Sequence, residues 1–597
     1  MKYLILLIIG CCGLSVFGQD DARLAENYLD QGEFGKALKI YNAIYKTNER
    51  NVNVLYKLID IHHQMKSYEK VDSLLTTAER LIPFGQPFAI ERGYNQVLQG
   101  KENLAKPYYD KALRIVDSIP GLAYSIATRF EQRRELEEAI LAYEKGMIGN
   151  PKANYNYQLA RLYGEQGNLE KMFETYIALI ESTPNYRAQA QAIFSQYITD
   201  DADNEGNKLL RKVLLLRLRE NQDPLYNQLL SWLFVQQKDF QKAFVQERAI
   251  YVRSRENMGD LQDLAYTAVD EKDIDAANEI LDYIIAESQV IDVRYYAESM
   301  KAKLKADQAI ATNFPEIKVL YEDLLTRYGR DGNTFSMQLD YANFLAFKAG
   351  DPETATALLT ELEKQRLSIF QKADVKMLLA DILVIQEQFN RALILYSQVQ
   401  SDLPNDVRAQ ESQFKVARTS YYQHDFPWSF TQLKVLRGAA SKLIANDAME
   451  LSLLIADHSL VDTTYVALKA FAKADLKQYQ GKRNEAIALY KQLLLDHKGD
   501  DIEDEALLNL ATLYELEGNA EKAREQYQVI IDNYADGILA DDAFYNLGLL
   551  NENILNNPAA AQALYERIIY EHADSIHFVD ARRRFRRLRG DTNVNDF

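Results

Sequence analysis

The sequence predicts an all-α protein, an α-solenoid of antiparallel helix pairs. Three observations lead there. Across 597 residues Gly (25) and Pro (12) are scarce, whereas a sandwich needs turn residues every ten positions or so. The 38 tyrosines are unusual and recur at fixed places. Small and aromatic residues also return in the same order along the chain, the mark of a repeat architecture. The length exceeds one ordinary core, and an apolar fraction of 47% with 26% charged residues argues against general disorder.

The N-terminus reads as a detachable export signal. Lys2 precedes an apolar stretch from Tyr3 to Phe17, and Val16 and Gly18 suit cleavage before Gln19. The stretch is too short for a comfortable membrane span, so residues 1–18 are set apart from the fold. In the alternative, Ile8-Ile9-Gly10-Cys11 is a lipobox and the chain is anchored through Cys11. Either way Cys11 and Cys12 are the only cysteines, so the chain after residue 18 has no disulfide, thiolate metal site or cysteine nucleophile. No other run reads as a membrane helix.

The best-formed repeat is Leu159-Ala160, Tyr163, Gly167, Tyr176 and Pro184. The same set appears at Leu24-Ala25, Tyr28, Gly32, Ala37 and Tyr41; at Ile126-Ala127, Phe130, Ala139, Tyr143, Gly146 and Pro151; and at Leu379-Ala380, Ala392, Tyr396 and Pro404. It returns at Leu510-Ala511, Tyr514, Gly518, Ala523 and Tyr527, then at Leu547-Gly548 with Tyr565. Weaker copies around Leu58, Gly93, Leu230, Leu264 and Ala474 fill the gaps, and one at Leu339, Ala342, Ala355 and Leu359 fits with one inserted residue. Small residues belong where two helices touch, an aromatic belongs where one pair seals against the next, and Pro ends a helix.

These residues resemble the tetratricopeptide repeat (TPR) family over most of residues 20–575. The resemblance implies a right-handed superhelix of helix pairs with an extended concave face. The pattern fades at 185–222, where Thr199 to Gly206 forms an acidic loop. An irregular helical joint is expected at 437–464, dividing an N-terminal solenoid (19–436) from a C-terminal one (465–575). Tyr490, Tyr527 and Tyr565 are 37 and 38 residues apart, so longer helix pairs are expected there. Phe578, Ala581, Phe585 and Leu588 share one helical face, which makes 576–590 an Arg-rich capping helix, followed by a loose tail at 591–597.

Few residues invite chemistry. Asp201, Asp203, Glu205 and Gly206 copy the start of an EF-hand loop, but Lys212 stands where the bidentate Glu belongs, so a solvated loop is expected. None of the seven histidines has a metal-type partner at i+4, and they read as surface or interface residues. No nucleophile elbow or phosphate loop occurs. No cofactor, metal or catalytic group is therefore expected. The net charge of −18 repels nucleic acid and anionic lipid alike. The expected partners are proteins, met by Asn154, Tyr157 and Arg161 on the concave face of the best repeat, with Tyr and Arg common interface anchors. Arg582, Arg583, Arg586 and Arg587 form a second docking surface or simply cap the array.

Tyr421 to Trp428, Ser441 to Ala448, the Arg-rich end and the Phe17-Gly18-Gln19 signal end are similar to large exported TPR proteins of the Bacteroidota. The C-terminal repeats more loosely resemble TPR modules of envelope-assembly factors, including the TPR lipoprotein of the outer-membrane β-barrel assembly machinery. These resemblances imply a periplasmic location. The expectation is a non-catalytic periplasmic scaffold for envelope assembly, secretion or motility. The alternatives are a carrier or chaperone holding extended peptides in its groove, and an envelope hydrolase with an unrecognised site.

Overall fold

The computed structural model describes residues 21–82, 87–439, 442–459 and 464–591. The expected export signal with Cys11, Gly18 and Gln19 lies outside the described residues, as do Pro83 and residues 592–597. Every regular element among the described residues is helical, and the fold is the all-α solenoid of helix pairs that the sequence predicts. The chain forms two compact units, Met1–Ile280 and Leu281–Phe597. The division falls within the helix Ile274–Glu287, and the expected joint at 437–464 lies inside the second unit.

One turn chemistry makes the pairs. Between paired helices a single residue takes a left-handed conformation: φ is 72° at Gly32, 74° at Gly167 and 72° at Gly518. Lys66 (54°), Arg134 (60°) and Lys238 (56°) take the same role without glycine. The following N–H then reaches back over the helix end: Asn168 donates to the Tyr163 carbonyl at 2.9 Å and Asn519 to the Tyr514 carbonyl at 2.8 Å. This satisfies a carbonyl that the helix end would otherwise orphan. The same Asn168 and Asn519 cap the next helix by accepting from the N–H of Lys171 and Lys522. One dipeptide thus ends one helix and starts its partner.

In the first unit, Ala123–Gln132 packs on Leu136–Gly149 and Asn156–Glu165 on Leu169–Ser182. Close approach depends on small residues: a Cβ on Gly93 would run into the Tyr109 ring, and one on Gly146 into Ala123. The acidic loop has no EF-hand geometry, because Glu205 and Gly206 already belong to the helix Glu205–Glu220, capped by Asn204. Lys212 pairs with Glu170 at 2.6 Å. Among the described residues no group of three His, Cys, Asp or Glu is placed to hold a metal ion.

In the second unit, the residue expected as an insertion appears as a π turn at Phe344–Lys348, after the helix Phe335–Asn343. There the Ala349 N–H reaches the Phe344 carbonyl at 2.9 Å, five residues back. Glu503–Leu516 and Ala520–Asn533 have 14 residues each, more than Asn156–Glu165 with 10, but Ile369–Ile385 and Phe389–Asp402 have 17 and 14, so helix length does not set the last pairs apart. An 18-residue helix, Lys442–Ser459, packs against Phe426–Ala439. The terminal helix Phe578–Arg589 covers Pro558–Glu571, burying Ala581 and Phe585. No helix among the described residues is long and apolar enough to cross a membrane.

Candidate functional site

The tyrosine plugs explain why the chain uses Tyr rather than Phe. A buried phenol needs a hydrogen-bond partner, and the second helix of a pair finds it on the first. Tyr41 donates to Glu26 at 2.6 Å, Tyr143 to Glu131 at 2.8 Å and Tyr396 to Asp381 at 2.5 Å. Tyr527 donates to Glu515 at 2.5 Å and Tyr565 to Glu552 at 2.8 Å. The acid stands 12 to 15 residues before its tyrosine in each case. Burial, reinforced by these carboxylates, raises the phenol pKa of Tyr41, Tyr527 and Tyr565 well above the ordinary value. These five plugs are interior, and their hydroxyls are spent on the carboxylates.

The three residues predicted for the groove are not equivalent. Tyr157 is 37% exposed and lies 6.2 Å, ring to ring, from Tyr186. Asn154 precedes the helix Asn156–Glu165, where its side chain accepts from the Asn156 N–H at 3.0 Å and donates to Ser182 at 3.1 Å. Arg161 is held between Glu131 and Glu165. Only Tyr157 presents an uncommitted surface.

The arginine helix is tied to its own neighbours. Arg583 pairs with Asp580 and Arg587 with Glu552. Arg584, which the sequence reading passed over, is the centre: it bonds Asp580 at 2.6 Å and Glu552 at 3.0 Å, and Glu552 also accepts from Tyr565. Tyr545 donates to Asp580 at 2.6 Å and stacks on His577 at 4.0 Å. Although burial opposes it, this set of donors holds the Asp580 carboxyl down at about 2. These contacts fasten a cap.

A sealed charge cluster sits in the first unit. Glu91 is fully buried and accepts from Arg129 and Arg133, and Arg133 also reaches Asp60 at 2.6 Å. Arg129 lies over the Tyr56 ring at 3.7 Å. Burial and then the Arg133 charge push neighbouring His63 down to about 4. This histidine, expected at a surface or interface, is a neutral core residue.

Sequence reasoning missed a hollow of about 790 Å³ in the second unit. Its walls come from the helices Val407–Tyr422, Lys442–Ser459, Val466–Tyr479 and Glu503–Leu516, with the turn at 534–539. Apolar walls include Phe414, Leu451, Leu454, Phe471 and Leu508. Seven carboxylates face it against only Arg418 and His458. Burial, opposed by the Arg418 charge, pushes Asp475 up to about 6. Burial and neighbouring Glu505 raise Asp504, and burial raises Glu450. Glu505 goes the other way: against burial, His458 (3.2 Å) and Asp504 hold it ionised. A comparable hollow of about 800 Å³ beside Ile180 and Tyr226 differs, because Arg187 bonds Gln228 and Tyr226 bonds Glu181, satisfying its polar groups.

Residues 153–186, 471–538 and 542–575 each match a tetratricopeptide repeat model. No curated protein matches the chain significantly. Among solved structures, yeast Tom70 is 14% identical over 94% of this chain and 98% of that one, with a TM-score of 0.27. The Naa15/Naa10 structure bound to HypK-THB is 14% identical over 96% and 91%, at 0.25. A monomeric IFIT1 mutant with Gppp-AAAA is 13% identical over 70% and 93%, at 0.30. Scores this low carry no argument about geometry or partners. The three segment matches support the tetratricopeptide repeat family, and with it a framework of helix pairs.

Proposed function

We propose that the chain is a non-catalytic protein-interaction scaffold, exported to the periplasm and serving envelope assembly, secretion or motility. The observation that carries the binding role is the set of three tetratricopeptide matches. Their recurring aromatic side chains are buried inside the pairs, as Tyr527 is against Glu515, so the positions between them are free to suit a partner. Support for export comes from Lys2, the apolar run after it and the Gly18-Gln19 step, with the soluble form preferred over anchoring at Cys11.

A carrier of extended peptides is the second reading, favoured by the hollow with apolar walls. Crosslinking pulldown of the chain from residue 19 onward, out of envelope extracts, separates the two. A few fixed envelope partners are expected for the scaffold, and many unrelated clients would favour the carrier. Recovery of ribosomal or cytosolic proteins alone would overturn the periplasmic assignment.

A further inference from the structure

We infer that the hollow between the helices Val407–Tyr422, Lys442–Ser459, Val466–Tyr479 and Glu503–Leu516 receives a lysine or arginine side chain of a partner polypeptide, flanked there by apolar residues. This deepens the scaffold reading and rests on it.

Tyr490 plugs the pair Val466–Asp496 as Tyr396 plugs its own, and it is fully buried. Asp475 stands 15 residues before Tyr490, the offset of Asp381 before Tyr396 and of Glu26 before Tyr41. Yet the Tyr490 hydroxyl has no hydrogen-bond partner, although the Asp475 charge acts on it. Asp475 lines the hollow instead. The Tyr421 hydroxyl, also fully buried, draws on Asp475 without reaching hydrogen-bond geometry. One Glu505 oxygen meets His458, and the other is buried without a hydrogen bond, with neighbouring Asp504 acting on the carboxylate. Buried polar groups are ordinarily bonded, and the exceptions call for an explanation. Here the Tyr490 and Tyr421 hydroxyls and one Glu505 oxygen are buried without a hydrogen bond, and Asp475, whose charge acts on both phenols, faces the hollow.

The excess of acid selects a cation. Arg418, whose charge reaches Asp475 while its guanidinium lies over the rings of Tyr479 (4.8 Å) and Phe414 (5.6 Å), is a single cation against seven carboxylates. A bare metal ion is a poor fit, since no three ligating side chains among the described residues converge. The apolar walls instead match the methylene stem of Lys or Arg, which buries its carbons and keeps its charge among acids. Beyond the walls, Leu453 is 37% and Ile538 75% exposed at the rim, contact points for apolar neighbours of the basic residue. A net charge of −18 steers such a partner in.

The test uses the full chain and a fluorescent heptapeptide alternating Leu or Phe with Lys, followed by polarisation. The probe is expected to bind, and Asp475→Asn and Glu505→Gln are each expected to weaken it at least about tenfold. Asp200→Asn, which removes one charge from the exposed loop, is expected to leave binding unchanged. Binding is expected to strengthen from about pH 5.5 to 7.5 as Asp475 and Asp504 ionise, with Arg418 and His458 as the facing cations and Asp447, Glu450, Asp457, Asp501 and Glu505 as the other facing acids. Equal binding of the Glu-for-Lys or acetyl-lysine peptide would overturn the assignment. So would unchanged affinity in folded Asp475→Asn, checked by its helical circular dichroism, or spermidine binding that the peptide cannot displace. If Asp475→Asn still recovers the same partners from envelope extracts, this inference falls and the scaffold reading stands. Loss of those partners supports both.

Discussion

Two helix pairs of the second unit carry the same aromatic plug in different company. In the pair Ala540–Glu571, Tyr565 is fully buried and donates to Glu552, which Arg584 and Arg587 from the terminal helix also bind. In the pair Val466–Asp496, Tyr490 is equally buried, its hydroxyl is unbonded, and the matching acid Asp475 faces a hollow. Ring packing is therefore enough to seat the plug, and the carboxylate is a separable part. Where it closes on the phenol the repeat gains rigidity. Where it turns away, the repeat holds an acid in a costly position, as binding sites often do.

The sharpest break lies where charges are sealed most completely. Glu91→Ala leaves Arg129 and Arg133 without their buried counter-ion and is expected to destabilise the chain by about 3–5 kcal/mol, read as a lowered denaturant midpoint. An unchanged midpoint would mean that the cluster is not sealed. The comparison itself predicts unequal phenylalanine substitutions. Tyr565→Phe removes a hydrogen bond to a charged group and is expected to cost about 1.5–3 kcal/mol. Tyr490→Phe deletes an unpaired hydroxyl and is expected to be neutral or slightly stabilising. Equal losses in thermal melts of the two variants would dissolve the distinction.

The smallest effect is a pH slope. Asp475 sits at about 6 in the folded chain, above its ordinary 3.8, so its penalty is full above about pH 6 and disappears as pH falls toward 3.8. The raised pKa of Asp504, Glu450 and His458 adds in the same direction. Asp580 acts oppositely, but its contribution is lost only as pH falls through about 2. His63, held down at about 4, opposes this over the same range, so the expectation is a difference between variants: from pH 7 to pH 5 the melting temperature of Asp475→Asn is expected to gain less, or fall more, than that of the unsubstituted chain.

The framework was legible because it is local. Gly167-Asn168 and Gly518-Asn519 announce their turns, and the small and aromatic positions return at a near-constant period. The single inserted residue in the repeat at Leu339, Ala342, Ala355 and Leu359 is countable from the spacing, and the π turn at Phe344–Lys348 lies between Ala342 and Ala355. The hollow was not legible: its walls come from four helices across residues 414–539, and Arg418, Asp475 and Glu505 each read alone as ordinary helix surface. One signal did exist, the 15-residue offset shared by Asp475–Tyr490 and Asp381–Tyr396. It becomes meaningful only when one bond is formed and the other is not. Arg584 was missed beside its flanking arginines because its partners, Asp580 and Glu552, are set by packing of the terminal helix. Asn154 was grouped with Tyr157 and Arg161 by spacing, but it precedes their helix and its side chain accepts from the Asn156 N–H in the turn before it.

Three surfaces thus compete for a partner: the ground around Tyr157, the arginine helix and the acidic hollow. Hydrogen exchange on the full chain, with and without the lysine heptapeptide, tests them together. The account predicts added protection in residues 414–422, 447–458, 471–475 and 501–509. Protection confined to 154–161 or to 578–589 would contradict it.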